Sequence, residues 1–288
     1  LALQTIQHRG QDAAGVGTWD DRRPHLVKGL GMIAQAVPVS TLPTLVGNGG
    51  IAHVRYPTAG SASTVEDAQP FRSRQPGVLL AHNGNVTNMA ELTVWLRDEG
   101  YIVLSQCDAE PILLTFTQAL TRDRPSRHTT DDVVRAVREV RARVRGAYSV
   151  TLMLEVDGEP TLVAFRDPHG IRPGVYGRRA DDGAWMTASE SVALDVLSFE
   201  SEGNLPIDDV LLLRPGQPAV RHPVDAPAVA TNRPRPCIFE RVYFARPDSI
   251  MEGGRVNRTR WRMGRQLARE WQERGLEADL VVAVPDTS

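Results

Sequence analysis

Apolar positions along the chain change their spacing several times, and each change predicts a different element. Residues 1–7 read as a helix. Up to residue 60, short apolar runs are broken by Gly15, Gly17, Gly29, Gly31, Gly47, Gly49 and Gly50. That is the punctuation of strands and turns, with residues 50–54 as one strand. From Asn88 the period becomes helical. Asn88 followed by Glu91 resembles a capping box, and Leu92 and Leu96 share a face. A second helix follows Asp108, with Ile112, Leu113, Phe116 and Leu120 on one side.

The strongest helical signal covers residues 130–145, where Val133, Val137, Val140 and Val144 recur at the helical period. Asp131 and Asp132 at its start and Arg141, Arg143 and Arg145 at its end suit the helix dipole. Residues 149–155, 161–165, 185–188 and 210–213 read as strands, the first two joined by an Asp157-Gly158 turn. Residues 214–236 are rich in Pro and Ala and read as a connection. A helix over 259–275 follows, with Met263, Leu267 and Trp271 on one face. The run 280–284 has the look of a parallel strand buried on both sides, with Asp286 and Thr287 at its carboxyl end. Runs of strands alternating with runs of helices predict an α+β sandwich.

Composition narrows the function classes. The 288 residues are 41% hydrophobic and 24% charged, with 33 basic and 35 acidic side chains and a net charge of -2. This balance lacks the basic stripe of a nucleic-acid binder. No apolar run is long enough to span a bilayer, and no secretory leader is evident, so neither nucleic acid nor membrane is expected as a partner. Two cysteines, Cys107 and Cys237, make no disulfide framework and fit a reducing, cytoplasmic setting. Leu1 and Ser288 both read as cuts through a longer protein.

Four polar clusters combine glycine with groups that bind carboxylates or amides. They are HRGQDAAG at 8–15, HVRYPTAG at 53–60, HNGN at 82–85 and CDAE at 107–110. Arg55, at the end of a strand, offers a planar fork for a carboxylate. Asp108 could pair with an ammonium group, or cap the helix it precedes. Asn83 supplies an amide donor beside Gly84, whose bare backbone can approach closely, and the two could form an oxyanion hole. Carboxylate, ammonium and oxyanion sites together describe hydrolysis of glutamine or asparagine. Each residue alone has an ordinary structural reading, as a turn, a surface ion pair or a cap; the argument rests on the four together.

Longer stretches carry a resemblance. LQTIQHRGQDAAG, GIAHVRYPTAGSAST, EDAQPF, LLAHNGNVTN, RGAYSV, VAFRDPHGIRP, ASESVALD, CIFERVYFARPDSI and VVAVPDTS run through nearly the whole chain in order. In these words the sequence resembles the amidophosphoribosyltransferase family, whose glutamine domain is an N-terminal-nucleophile hydrolase. HRG and HNG are shared with glucosamine-6-phosphate synthases, whereas HVRYPTAG and YFARPDS resemble the phosphoribosyltransferase version.

The resemblance implies a four-layer αββα sandwich over residues 1–232, a type 2 glutamine amidotransferase domain without its first strand. The opening elements of an α/β phosphoribosyltransferase domain would follow over 233–288. It implies that Arg55 holds the glutamine α-carboxylate, Asp108 the α-amine, and Asn83 and Gly84 the oxyanion. Arg9 and Gly10 would line the same pocket, and Tyr56 would couple it to the second domain.

The family nucleophile is an N-terminal cysteine, set in a strand just before the helix at residues 1–7, with its own α-amine as base. Cys107 is internal and reads as a buried small residue. Cys237 alone cannot hold an iron–sulfur cluster, which needs four cysteines, so none is expected. Mg²⁺ would act with phosphoribosyl pyrophosphate at a site beyond this chain, and no metal site is expected within it. Glutamine and phosphoribosyl pyrophosphate are the implied substrates, in a homo-oligomer. The implied activity forms 5-phosphoribosylamine, glutamate and pyrophosphate, the first step of purine synthesis. Two alternatives stay open: a non-catalytic fragment that binds glutamine or a partner, and an amidotransferase with another acceptor.

Overall fold

The structure, a computed structural model, describes residues 1–20, 23–56, 64–123, 127–224 and 234–282. In chain order the elements are α1 (Ala2–Thr5), β1 (Ala13–Trp19), β2 (Pro24–Leu30), α2 (Ile33–Ala36), β3 (Gly49–Arg55), β4 (Phe71–Arg74) and β5 (Gly77–Val86). The helices α3 (Met89–Asp98), α4 (Ala109–Thr121) and α5 (Thr130–Arg143) come next, then β6 (Gly146–Val156), β7 (Glu159–Arg166), β8 (Val175–Arg178) and β9 (Trp185–Ala188). The chain continues with α6 (Ser191–Asp195), β10 (Glu200–Asn204), β11 (Asp209–Leu213) and β12 (Val220–Pro223). A π-helical turn (Glu240–Phe244), a short ribbon of β13 (Ile250–Met251) and β14 (Gly254–Arg255), and α7 (Val256–Glu273) complete it.

A six-stranded antiparallel sheet, ordered β12-β11-β7-β6-β5-β4, forms the centre. Strand side chains alternate between faces, and here both faces are apolar. Val78, Leu80, Val150, Leu152 and Leu154 point to one side, where they meet Ile112, Leu113, Phe116 and Leu120 of α4 and Val133, Val137 and Val140 of α5. Leu79, Ala81 and Met153 point to the other, against Trp19 and Ile51. Ala164, Leu211 and Leu213 meet Tyr176 and Leu205 on that same side.

That second layer is made of two small sheets, β2-β1-β3 and β10-β8-β9. Helices cover their outer faces. Ala36 and Ile33 of α2, with Leu3 of α1, pack on Ala14, Val16 and Val54; Leu194 of α6 packs on Val175. The order helix, sheet, sheet, helix is the expected αββα sandwich.

The periodic elements form close to where the sequence puts them. Thr129 caps α5 in a reciprocal box with Asp132. Asp157 and Gly158 both take positive φ in the β6–β7 turn, as a two-residue hairpin requires.

Four expectations are corrected. Asn88 does not cap α3; its amide bridges to the end of α5, accepting from Arg145 N at 2.8 Å and donating to Arg143 O at 2.9 Å. Asp108 precedes α4 without capping it. The connection after residue 213 contains a strand, β12, paired to β11; its polar residues Arg221 and His222 gave no strand signal. Leu280, Val281 and Val282 form no strand and are exposed, because no neighbouring strand among the described residues covers them. Residues 57–63, 225–233 and 283–288 lie outside the described residues, and with them Asp286, Thr287 and the tail of the HVRYPTAG cluster. Among the described residues no helix is long and apolar enough to cross a membrane.

Candidate active site

Strands β3 and β5 end side by side, and their ends carry the candidate residues. Arg55 is the last residue of β3 and is 5% exposed. Gly10 stands directly behind it: a Cβ there would lie 2.3 Å from the Arg55 carbonyl carbon and 2.7 Å from Tyr56 N. Asn83 and Gly84 lie on β5, opposite Ser149 and Tyr148 of β6. A Cβ on Gly84 would fall 2.0 Å from the Ala147 carbonyl oxygen, so only glycine allows this pairing. Asp108 comes from the start of α4, and its Oδ2 accepts the Val86 N–H at 2.8 Å.

Arg55, Asn83, Gly84 and Asp108 converge on one cavity of about 310 Å³, with Arg9, Tyr56 and Ile6 also on its wall. Gly10 does not face the cavity; it sets the backbone from which Arg55 projects. Arg9 reaches the wall, but its guanidinium is engaged elsewhere. It donates to Glu190 at 2.7 Å and to both carboxylate oxygens of Glu240 at 2.9 Å. Tyr56 is half exposed and meets the Phe244 ring edge-on at 6.0 Å.

A second cavity of about 350 Å³ adjoins the first, and His53, His82, Asn83 and Ser189 border both. It lies between the two small sheets. β1 pairs with both β2 and β3, and β8 with both β9 and β10, so among the described residues β3 and β9 are open edges facing it.

Several contributors were not legible from single residues. Gln69 clamps β5 as a strand neighbour would: its Oε1 accepts His82 N at 2.7 Å, and its Nε2 donates to His82 O at 3.2 Å. Glu190 sits at the centre of a buried cluster of His8, Arg9, Ser249 and the Arg246 N–H. Arg172 reaches Asn83 from the turn after β7. These links join residues up to 182 positions apart, and no local spacing announces them.

Burial governs the titrations. It pushes the Glu190 carboxyl up, but bonds from His8 and Ser249 and the charge of Arg9 outweigh it and hold the group at about 2. Burial and the neighbouring His82 drop His53 to about 3, and burial also lowers His82 despite Asp108 beside it. Both imidazoles are therefore neutral near pH 7 in the folded chain.

All three folded-state values are depressed, so the stability they contribute is present at neutral pH and is lost on acidification. The His53 part goes as pH falls from about 6.5 toward 3, and the Glu190 part from about 4.5 toward 2. Urea unfolding is expected to show this loss. Glu190→Gln should remove about 3 kcal/mol of it in the lower window; an unchanged acid limb in the variant would refute the assignment.

Residues 58–196 match the family described as a glutamine amidotransferase domain. The amidophosphoribosyltransferase of Pseudomonas aeruginosa is 42% identical over all of this chain and 57% of its own length. That of Escherichia coli is 41% identical over the same shares. The solved glutamine phosphoribosylpyrophosphate amidotransferase from B. subtilis, complexed with ADP and GMP, superposes with a TM-score of 0.81 at 30% identity. It is matched by all of this chain and over 58% of its own. Over its whole length the chain is similar to amidophosphoribosyltransferases. It spans a little over half the length of these relatives.

Cys107, on the wall of the first cavity, is a thiol whose fitness as a nucleophile can be judged from its surroundings. It is buried, and desolvation pushes its thiol up to about 12, so it carries no thiolate at neutral pH. Cys107→Ser is expected to leave glutamine hydrolysis within about twofold of wild type, and iodoacetamide should not label Cys107 in the native protein. Rapid labelling with loss of activity would reverse this reading.

Proposed function

We propose that this chain supplies the glutamine-handling half of an amidophosphoribosyltransferase, which forms 5-phosphoribosylamine, glutamate and pyrophosphate. The observation that carries the reading is the meeting of Arg55, Asp108, Asn83 and Gly84, from three separate segments, on one cavity. In it Arg55 holds the α-carboxylate of glutamine and Asp108 its α-ammonium. The side-chain carboxamide is then turned toward Asn83 and Gly84.

The nucleophile is a cysteine thiolate on a strand that enters the second cavity between the open edges of β3 and β9. Support for that placement comes from Asn83 and Ser189, which border both cavities. The thiolate attacks the carboxamide carbon, the oxygen takes the negative charge against Asn83 and Gly84, and ammonia leaves with a proton from the cysteine's α-ammonium. Water then opens the thioester to glutamate. Ammonia displaces pyrophosphate at C1 of phosphoribosyl pyrophosphate.

The relatives' names support that acceptor, and a homo-oligomer in the cytoplasm belongs to the same proposal. Mg²⁺ would accompany the pyrophosphate. Among the described residues there is no group of three or more His, Cys, Asp or Glu that could hold a metal ion.

The test is to express the protein with the coding sequence that flanks this chain and to assay it with glutamine, phosphoribosyl pyrophosphate and Mg²⁺. Glutamine-dependent phosphoribosylamine is the expected product. Glutamate and ammonia without it would indicate another acceptor, and no hydrolysis would indicate a binding protein.

A further inference from the structure

An oxyanion hole built on asparagine has a built-in ambiguity. The side-chain amide can present its NH₂ or its oxygen to the reacting carbonyl, and only the NH₂ stabilises a developing negative charge. The contacts of Asn83 remove the ambiguity. Its Oδ1 accepts a hydrogen bond from Arg172 Nη2. A guanidinium has donors only, so the end of the amide facing it must be the oxygen. The NH₂ is thereby turned to the other side, where its nearest protein acceptor is Ser189 Oγ at 3.4 Å. Arg172 and Ser189 both line the first cavity, but of the two only Ser189 also borders the second, so the NH₂ is turned toward the side where the two cavities meet.

Arg172 is itself held from two directions. The turn before it is cinched by the fully buried Asp167, whose carboxylate accepts the N–H groups of His169 at 2.9 Å, Ile171 at 3.0 Å and Arg172 at 3.3 Å. Its guanidinium lies 3.1 Å from Glu240 Oε1 and stacks over the Phe244 ring, 5.9 Å from its centroid. Glu240 is 2% exposed and is fixed in turn by the two-pronged bond from Arg9. Glu240 and Phe244 both belong to the π-helical turn, which comes from the far end of the chain.

We infer that Arg172 is a positioning residue for the oxyanion donor: it locks the Asn83 amide with its NH₂ toward substrate, and Glu240 of the docked 240–244 turn holds it in place. This rests on the glutaminase reading of the cavity. Without Arg172 the amide is free to rotate, and a fraction of the enzyme presents oxygen to oxygen. Glutamine still binds through Arg55 and Asp108, so the loss falls on the chemical step.

The experiment compares Arg172→Met and Arg172→Lys with wild type, in the full-length protein, by steady-state glutamine hydrolysis. Arg172→Met is expected to lower kcat about tenfold, part of the effect of deleting a donor outright, with KM for glutamine within about twofold, and Arg172→Lys, whose ammonium also only donates, should recover part of that loss. In an Asn83→Ala background, Arg172→Met should lower kcat no further, because nothing is left to orient. Arg172→Lys keeps a cation beside Glu240 and so guards against a variant that merely fails to fold.

A folded Arg172→Met with wild-type kcat overturns the inference, as does an Arg172→Lys no better than Arg172→Met or an additive loss in the double variant. Those outcomes leave the glutaminase reading standing if Asn83→Ala alone is impaired. A wild-type protein that hydrolyses no glutamine is a failure of that reading instead.

Discussion

In the full-length protein, Asn83→Ala is expected to lower kcat for glutamine hydrolysis by about 10²- to 10³-fold while KM for glutamine stays within about twofold, as for other single oxyanion donors. Asn83 sits within the central sheet, opposite Ser149 of β6, next to His82, whose backbone the Gln69 side chain bonds on the other edge of β5. Arg172 fixes its amide. A donor held this way is in place before charge develops, so on the proposed reading it would stabilise the tetrahedral intermediate with no reorganisation. In the ground state the carboxamide oxygen is neutral and the same bond contributes little, which is why KM should stay put. The substitution also strands one Arg172 N–H, so unfolding of the variant should be measured alongside. A fall in KM-dependent binding with unchanged kcat would place Asn83 outside the reaction.

Asn83 and its motif were legible in the sequence, and Arg172 was not, for one physical reason. A residue that must sit beside a glycine leaves a local trace. HNG marks a strand whose bare backbone tolerates a 2.0 Å approach, and HRG a glycine that props Arg55. Arg172, Glu190 and Glu240 act through partners brought near by the fold. Arg9 and Glu240 are 231 positions apart, and either alone reads as an ordinary surface charge.

The same division runs through the fold. The valine period and the charges at its two ends announced α5 because both signals are local, and the structure adds a Thr129–Asp132 capping box. The apolar run at 280–282 has the composition of a buried strand, but burial depends on neighbours, and among the described residues it has none. Asn88 shows the converse. Its spacing to Glu91 suits a cap, yet the end of α5 lies close enough to claim its amide.

Arg55 carries the other large expectation. Arg55→Gln should raise KM for glutamine by about 10²- to 10⁴-fold, since a carboxylate held by a guanidinium fork loses two charge-assisted bonds of about 1.5–3 kcal/mol each. The position is rigid. Arg55 closes β3 in register with Ala13, its carbonyl accepts Asp12 N at 3.2 Å, and Gly10 blocks its backbone from behind. Stability alone could explain a crippled variant, so the ligand must be varied too. 4-Aminobutanamide keeps the amine and the carboxamide of glutamine but lacks its carboxylate. Wild type should handle it about as poorly as Arg55→Gln handles glutamine, and the substitution should cost almost nothing more with this substrate. Equal losses for both substrates would mean that Arg55 shapes the cavity without touching the carboxylate, and the arrangement of Arg55, Asp108, Asn83 and Gly84 around one glutamine would then have to be redrawn.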